Sequence, residues 1–338
     1  MNKLLTILLL FLCIISWFCS CSSETEKHQN KRNNVVNVHE KVKEIEIEDV
    51  FIGSIARLYL LDDYLIVADV KSPNKLIRIF DKNSFNYITS TGDRGQGPGE
   101  ISNMGGLTID KIARTLYVTD AGHRVIYSFA LDSILINPSY MPEIKMRMNN
   151  TGRVLEIQQY VNDTLSFGLI LEPIGNTDFK QSVVRWNMNT GEIMPMKYEH
   201  SNIEKKRFSF AASVEHGIYV ESYSNFDLIT ICDFDGNLKH NIYGPNWSKR
   251  ESQINRYFSQ ALFCNDKIIV PYSGGDRRTD EYYPTKLIVF NKNGDYIKTL
   301  ETEYKIFDYC FDKENNRIVM FLYDMIQFAY LDLDGIIE

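Results

Sequence analysis

Residues 91–100, Thr91-Gly92-Asp93-Arg94-Gly95-Gln96-Gly97-Pro98-Gly99-Glu100, put four glycines and a proline in ten positions and are the first place to look for phosphate chemistry. A phosphate-cradling loop needs Lys-Ser or Lys-Thr after its glycines, and a dinucleotide fold needs a helix there. Neither follows; the next residues alternate like a strand. Metal chemistry would draw on His28, His39, His123, His200, His216 and His240. They form no His-Glu-x-x-His and no close pair, and the cysteines form no Cys-x-x-Cys. Ligands supplied singly by separate elements leave no such spacing, so calcium or zinc in a central channel stays open. A Gly-x-Ser-x-Gly elbow is also missing, and no catalytic set emerges. His123, His216, Asp69 and Asp120 sit at strand ends, where turn hydrogen bonding is their expected role. Binding chemistry is better supplied. One loop carries Trp247, Lys249 and Arg250, and another carries Arg277, Arg278, Tyr282 and Tyr283, the residue types that dominate interface hot spots.

The elements that position these loops repeat. Leu65-Ile66-Val67-Ala68-Asp69 leads to Leu76-Ile77-Arg78-Ile79-Phe80-Asp81, and Leu116-Tyr117-Val118-Thr119-Asp120 leads to Val125-Ile126-Tyr127-Ser128-Phe129. Looser copies follow, the weakest around Leu165 to Asn187. The closing Asp or Asn recurs at Asp81, Asp132, Asn187, Asp235, Asn291 and Asp332, in steps of 51, 55, 48, 56 and 41 residues. That period, with several strands per unit, is the mark of propeller blades. The fold class is therefore all-β, a six-bladed propeller of four-stranded antiparallel blades. The last unit holds only three strands. Residues 42–48, alternating apolar and charged ahead of the first blade, are expected to complete it and so remove an open edge.

Within a blade, the connections between first and second strands and between third and fourth strands read as short. Residues 91–103, 137–152, 172–180, 199–207, 244–256 and 273–285 read as long and belong to the other class of connection. All the long loops should then emerge on one face, with Arg94 and Gln96 as one wall of it. Function concentrates on loops held by a rigid scaffold.

At the N-terminus, Lys3 and an apolar run over residues 4–18 precede Phe18-Cys19-Ser20-Cys21. The run falls short of the ~20 residues of a membrane span. The pattern resembles a bacterial lipoprotein signal, with Cys21 as the lipidated residue and Phe18 where leucine is usual. The expected division is a signal peptide over 1–20, the lipidated Cys21 and a flexible tether over 21–40, and the propeller over 41–338. The tether expectation rests on its polar composition, and Glu24 and Glu26 are similar to an acidic surface-export signal. The formal charge of −7 becomes −8 when Lys3 leaves with the signal, which disfavours nucleic acid as a partner. Cys232, Cys264 and Cys310 lie inside strand patterns and read as buried small hydrophobes.

Residues 92–129 carry a more specific likeness. Gly92-Asp93-Arg94-Gly95-Gln96-Gly97-Pro98-Gly99-Glu100, Leu107-Thr108-Ile109-Asp110, Leu116-Tyr117-Val118-Thr119-Asp120 and His123-Arg124-Val125-Ile126-Tyr127-Ser128-Phe129 resemble an NHL-type propeller repeat, with Gly122 where asparagine is usual. The chain as a whole looks like the six-bladed propeller lipoproteins of Bacteroidetes, related in shape to TolB-like propellers. The resemblance implies fold and location: an outer-membrane lipoprotein of the cell envelope, periplasmic or surface-exposed. Two functions remain in view. One is a binding platform for a protein partner or an extracellular glycan, with Arg94, Gln96, Trp247, Arg250, Arg277, Arg278, Tyr282 and Tyr283 as candidate contacts. The other is a metal-dependent lyase or hydrolase with calcium or zinc in the channel.

Overall fold

The computed structural model describes residues 25–148, 154–174 and 178–337; the signal segment and Cys21 lie outside the described residues. Six antiparallel sheets form the blades. In the first, Ala56–Leu61, Tyr64–Asp69, Lys75–Asp81 and Tyr87–Asp93 run from the ring axis outward. The remaining blades follow the same order. The apolar core is split into six clusters, one between each pair of neighbouring blades. A blade is therefore covered on both faces. That explains why second strands such as Thr115–Asp120 and Ile218–Tyr223 are buried at every position, polar Thr119, Asp120, Glu221 and Ser222 included, instead of alternating between buried and exposed. Among the described residues, the seam between blades two and three holds Tyr117, Ile126, Ile170, Val184, Trp186 and Met188, and it adjoins the weakest sequence copy.

Closure occurs as the sequence suggests. Val42–Glu44 pairs antiparallel with Phe328–Asp332, in the register Ala329↔Glu44 and Leu331↔Val42. Upstream of it, the described part of the expected tether, from residue 25 on, is paired rather than free. Glu26–His28 lies parallel on the outer strand Leu238–Tyr243 of blade four, and Val35–Asn37 lies parallel on Tyr296–Glu301 of blade five. Residues 25–44 thus cover three consecutive blade edges that would otherwise present unpaired amides. Glu26 accepts hydrogen bonds from Asn241 Nδ2 at 3.0 Å and from the Tyr243 hydroxyl, while His28 stacks on Tyr243 at 4.5 Å. Polar composition does not prevent this pairing, because the outer strands supply the ladder and the added strand buries little of its own surface.

A second correction concerns residues 137–152. They are not a single blade-to-blade loop: Glu143–Arg147 is the outer strand of blade two. The short helix Leu131–Ile136 ahead of it belongs to the third-to-fourth connection of that blade. This long segment therefore does not join the other long loops by topology.

Two strand-end acids behave as turn anchors. Asp69 accepts from Gly53 N at 2.9 Å and pairs with Arg78 at 3.4 Å. Asp120, fully buried, accepts from Ser102 N, Asn103 N, Gly122 N and His123 Nδ1 at 2.7–3.0 Å. Cys232, Cys264 and Cys310 are buried free thiols, and burial pushes their pKa values up.

His200 links the seam of blades three and four to the N-terminal strand. Its Nδ1 accepts from Asn202 N at 3.2 Å, so Nε2 carries the proton and donates to the Tyr243 hydroxyl at 3.1 Å. Burial lowers its pKa, against the opposing pull of Glu26 and with Lys206 adding to the effect. A base whose pKa is depressed on folding stabilises the fold above its unfolded value of about 6.5, and that contribution disappears as pH falls. The melting midpoint should therefore drop between about pH 7.5 and 5.5, and His200→Gln should flatten that part of the profile.

Candidate functional site

Blades one and four stand opposite each other in a ring of six, so a cavity touching both lies on the axis. One of about 500 Å³ does so, bounded by Arg57 of blade one and by Arg207, Phe208 and Ser209 of blade four. Leu169 and Gln181 of blade three, with Phe258, Arg256, Arg277 and Tyr282 of blade five, complete the wall. Arg57 opens the innermost strand of blade one, Arg207 and Arg256 precede those of blades four and five, and Arg277 and Tyr282 lie in the loop between the second and third strands of blade five. Each position belongs to a blade-to-blade or second-to-third connection or to the strand start beside one. The cavity is thus the mouth of the channel on the face where the sequence places the long loops.

Four guanidiniums meet there. Arg57 pairs with Asp308 at 3.0 Å, and Asp308 Oδ2 also accepts from Leu58 N at 2.7 Å. Burial raises the Asp308 pKa, with Arg57 opposing. Arg207 pairs with Asp178 at 2.6 Å and lies 3.9 Å from the Phe179 ring centroid. The bonds from Lys205, Phe179 N and Arg207 hold the Asp178 carboxyl well below the usual range. Arg256 lies 4.1 Å from the Tyr282 ring centroid and donates to Ser259 Oγ at 3.1 Å. Burial depresses its pKa, and the neighbouring charges of Arg57 and Arg277 add to that while Tyr282 opposes. Arg277 Nη2 donates to Asn225 Oδ1, Ser252 O and Asn255 O at 2.8–3.2 Å. Its Nε is buried with no hydrogen-bond partner among the described residues.

Of the contacts read from sequence, the structure brings Arg277 and Tyr282 to this cavity and leaves the others outside it. Arg94 is tied to the backbone of its own blade, donating to Ser72 O at 2.7 Å and Val70 O at 2.6 Å. Gln96 is exposed on the connector from blade one to blade two. Trp247 is half-buried and packs onto the seam, 4.6 Å from Tyr243 and 5.7 Å from Phe226. Arg250 borders a smaller cavity with Asp227 and Glu251. Arg278 is held by Asp276 at 2.6 Å, and Tyr283 stacks on Tyr323 at 4.8 Å. The glycine-rich loop folds around its own anion: Glu100 Oε2 accepts from Gly97 N at 2.7 Å, and a Cβ at Gly95 would collide with that carboxylate. Arg57, Arg207 and Arg256 were not singled out by sequence. They lie far apart along the chain, and their only shared signal is a position beside or ahead of the start of an innermost strand.

Among the described residues, no group of three or more His, Cys, Asp or Glu side chains is placed to hold a metal ion. No helix among them is long and apolar enough to cross a membrane.

The family model described as a 6-bladed beta-propeller, DUF5128, matches residues 28–244. No curated protein matches the chain. Among solved structures, a DUF4221 family member from Bacteroides vulgatus is similar at 12% identity and a TM-score of 0.58, covering 86% of this chain and 95% of its own. A putative exported protein from Bacteroides fragilis is similar at 11% identity and a TM-score of 0.54, covering 88% and 87%. A luciferin-regenerating enzyme is similar at 8% identity and a TM-score of 0.55, covering 86% and 94%. Likeness at these identities is likeness of fold, and one such fold carries unrelated activities.

Proposed function

We propose, from the premise that the chain belongs to the DUF5128 family of six-bladed β-propellers, that it is an envelope lipoprotein whose long-loop face binds a protein partner or an extracellular glycan. The observation that carries this reading is the cavity of about 500 Å³ at the channel mouth, walled by guanidiniums and by the Phe208, Phe258 and Tyr282 rings. Small-molecule and end-group sites are concave pockets of roughly this size with a few convergent polar groups. The leader pattern ending at Cys21 supports export and lipid attachment. The fold-level likeness to a putative exported Bacteroides protein agrees with it. A calcium or zinc enzyme gains no support at this end of the channel, because four arginines outnumber the two carboxylates paired with them, Asp308 and Asp178, and a cation would meet net positive charge.

Pull-down and glycan-array binding test the reading, with Arg256→Ala and Tyr282→Ala as the informative variants. Both should weaken capture, while Trp247→Ala should lower the melting midpoint instead. Capture that survives both channel-mouth substitutions would count against this face. Cys21→Ser should leave the protein in the soluble fraction of fractionated cells, and membrane retention of that variant would refute lipid attachment at Cys21.

A further inference from the structure

We propose that the channel mouth is an anion-binding site, and that its ligand is a compact organic molecule or end group bearing two or more carboxylate, sulfate or phosphate groups. This rests on the reading of the long-loop face as a binding surface and specifies its chemistry.

The charge balance is local and opposite to that of the chain. The protein carries a formal charge of −7, yet four guanidiniums converge on one cavity. Two carboxylates answer them, Asp308 to Arg57 and Asp178 to Arg207. Arg256 and Arg277 have no carboxylate within ion-pair distance among the described residues; Asp276 feels the Arg277 charge only at longer range and is itself paired with Arg278, so excess positive charge remains at the mouth. Concentrating like charges in a partly desolvated pocket is unfavourable unless an anion relieves it, and the depressed pKa of Arg256 accords with that cost.

The geometry suits recognition rather than packing. Arg277 is immobilised by three acceptors on a single nitrogen, and its Nε–H finds none among the described residues. Arg256 is braced by the Tyr282 ring and Ser259, which fixes the plane of its fork. A guanidinium held in place gives up little further freedom when it takes a carboxylate, sulfate or phosphate through two parallel bonds. Arg256 offers such a fork, while Arg277, with Nη2 occupied and Nε shielded from solvent, adds its charge and its Nη1 donors beside it; the pair favours a ligand with two anionic groups over one with a single charge. The volume of about 500 Å³ limits the bound portion to a small molecule or the end of a longer chain.

Isothermal titration of the mature protein with citrate, inorganic phosphate, a digalacturonate and a neutral disaccharide separates the possibilities. At least one of the polyanions should bind with a Kd below about 1 mM, weakening as salt is added. Arg256→Gln should weaken it at least about tenfold, as expected for a lost charge-assisted pair, while Arg278→Gln, on the same face but outside the cavity, should not change it. If Arg277→Gln fails to fold because its three acceptors are orphaned, Arg256→Gln and Arg256→Lys still decide, with Lys expected to recover part of the affinity. Absence of binding by all three anions overturns the inference, as does equal weakening by Arg256→Gln and Arg278→Gln. Neutral-disaccharide binding that is lost in Tyr282→Ala but kept in Arg256→Gln would overturn the anion chemistry while leaving the binding face standing.

Discussion

Arg32→Ala is expected to lower the free energy of unfolding by about 3–5 kcal/mol, the usual effect of removing one partner from a buried ion pair, and the melting midpoint by roughly 5–10 °C. Arg32 lies in the segment that composition alone would leave as a tether. Its guanidinium pairs with Asp227 at 2.8 Å, with both side chains buried. It also faces the Phe258, Tyr272 and Phe290 rings at 5.4–5.8 Å and donates through Nε to Gln29. Asp227 belongs to blade four and the three rings to blade five, so one side chain fastens the N-terminal segment into the seam between them. Alanine strands the Asp227 carboxylate, which among the described residues keeps only the Asn246 N–H at 3.1 Å. Replacing both partners with apolar residues, Arg32→Met with Asp227→Leu, should recover part of the loss, since neither charge is then left buried alone. Thermal melts of the three proteins check this. An Arg32→Ala midpoint equal to that of the parent would mean that the segment does not hold the blades together.

Asp120→Ala should cost a similar amount, through a different mechanism. The Asp120 carboxylate gathers the exit of the first blade connector, at Ser102 and Asn103, and the turn of its own blade, at Gly122 and His123. Every partner is a donor, and alanine orphans them together, at about 1–3 kcal/mol for each buried group and less than additively. Asp120→Asn keeps one accepting oxygen but turns an amide NH₂ toward Ser102 N–H, so it should fall between alanine and the parent. Burial works to raise the Asp120 pKa, but the bonds from Ser102, Asn103 and Gly122 outweigh it, and the net shift is downward. A lowered carboxylate stabilises the fold above the unfolded value of about 3.9 and loses that contribution as pH falls through its folded value. The parent should accordingly lose stability in acid below about pH 4, and the Asp120→Ala variant should show less of that loss. Denaturant unfolding at several pH values measures both effects.

The fold was legible because a blade must bury both faces. That requirement writes the same apolar run and closing Asp or Asn six times, and it leaves the three-stranded last unit in need of residues from the other terminus. The strands at residues 26–28 and 35–37 were not legible for the converse reason. Each contributes only three residues, parallel and at an outer edge, where the partner's amides decide the pairing and no side-chain alternation is demanded. The site was half legible. Loop length points to the face on which this cavity opens, and Arg277 and Tyr282, which line it, follow from loop composition. Arg57, Arg207 and Arg256 do not, because ring closure rather than chain proximity brings them together: residues 57 and 207 are far apart in sequence and meet across the axis. Trp247 lies outside the cavity for a reason its loop does not show. An aromatic in a loop looks like a contact until its packing against Tyr243 and Phe226 is seen.

The central claim is that the channel mouth on the long-loop face is where this propeller meets its ligand. A photo-reactive residue in place of the exposed Tyr282, compared in intact cells with one at exposed Asn293 in a short turn within blade five, tests it most directly. A discrete cross-linked species from position 282 and none from position 293 is the predicted result. Cross-linking from position 293 alone would contradict it.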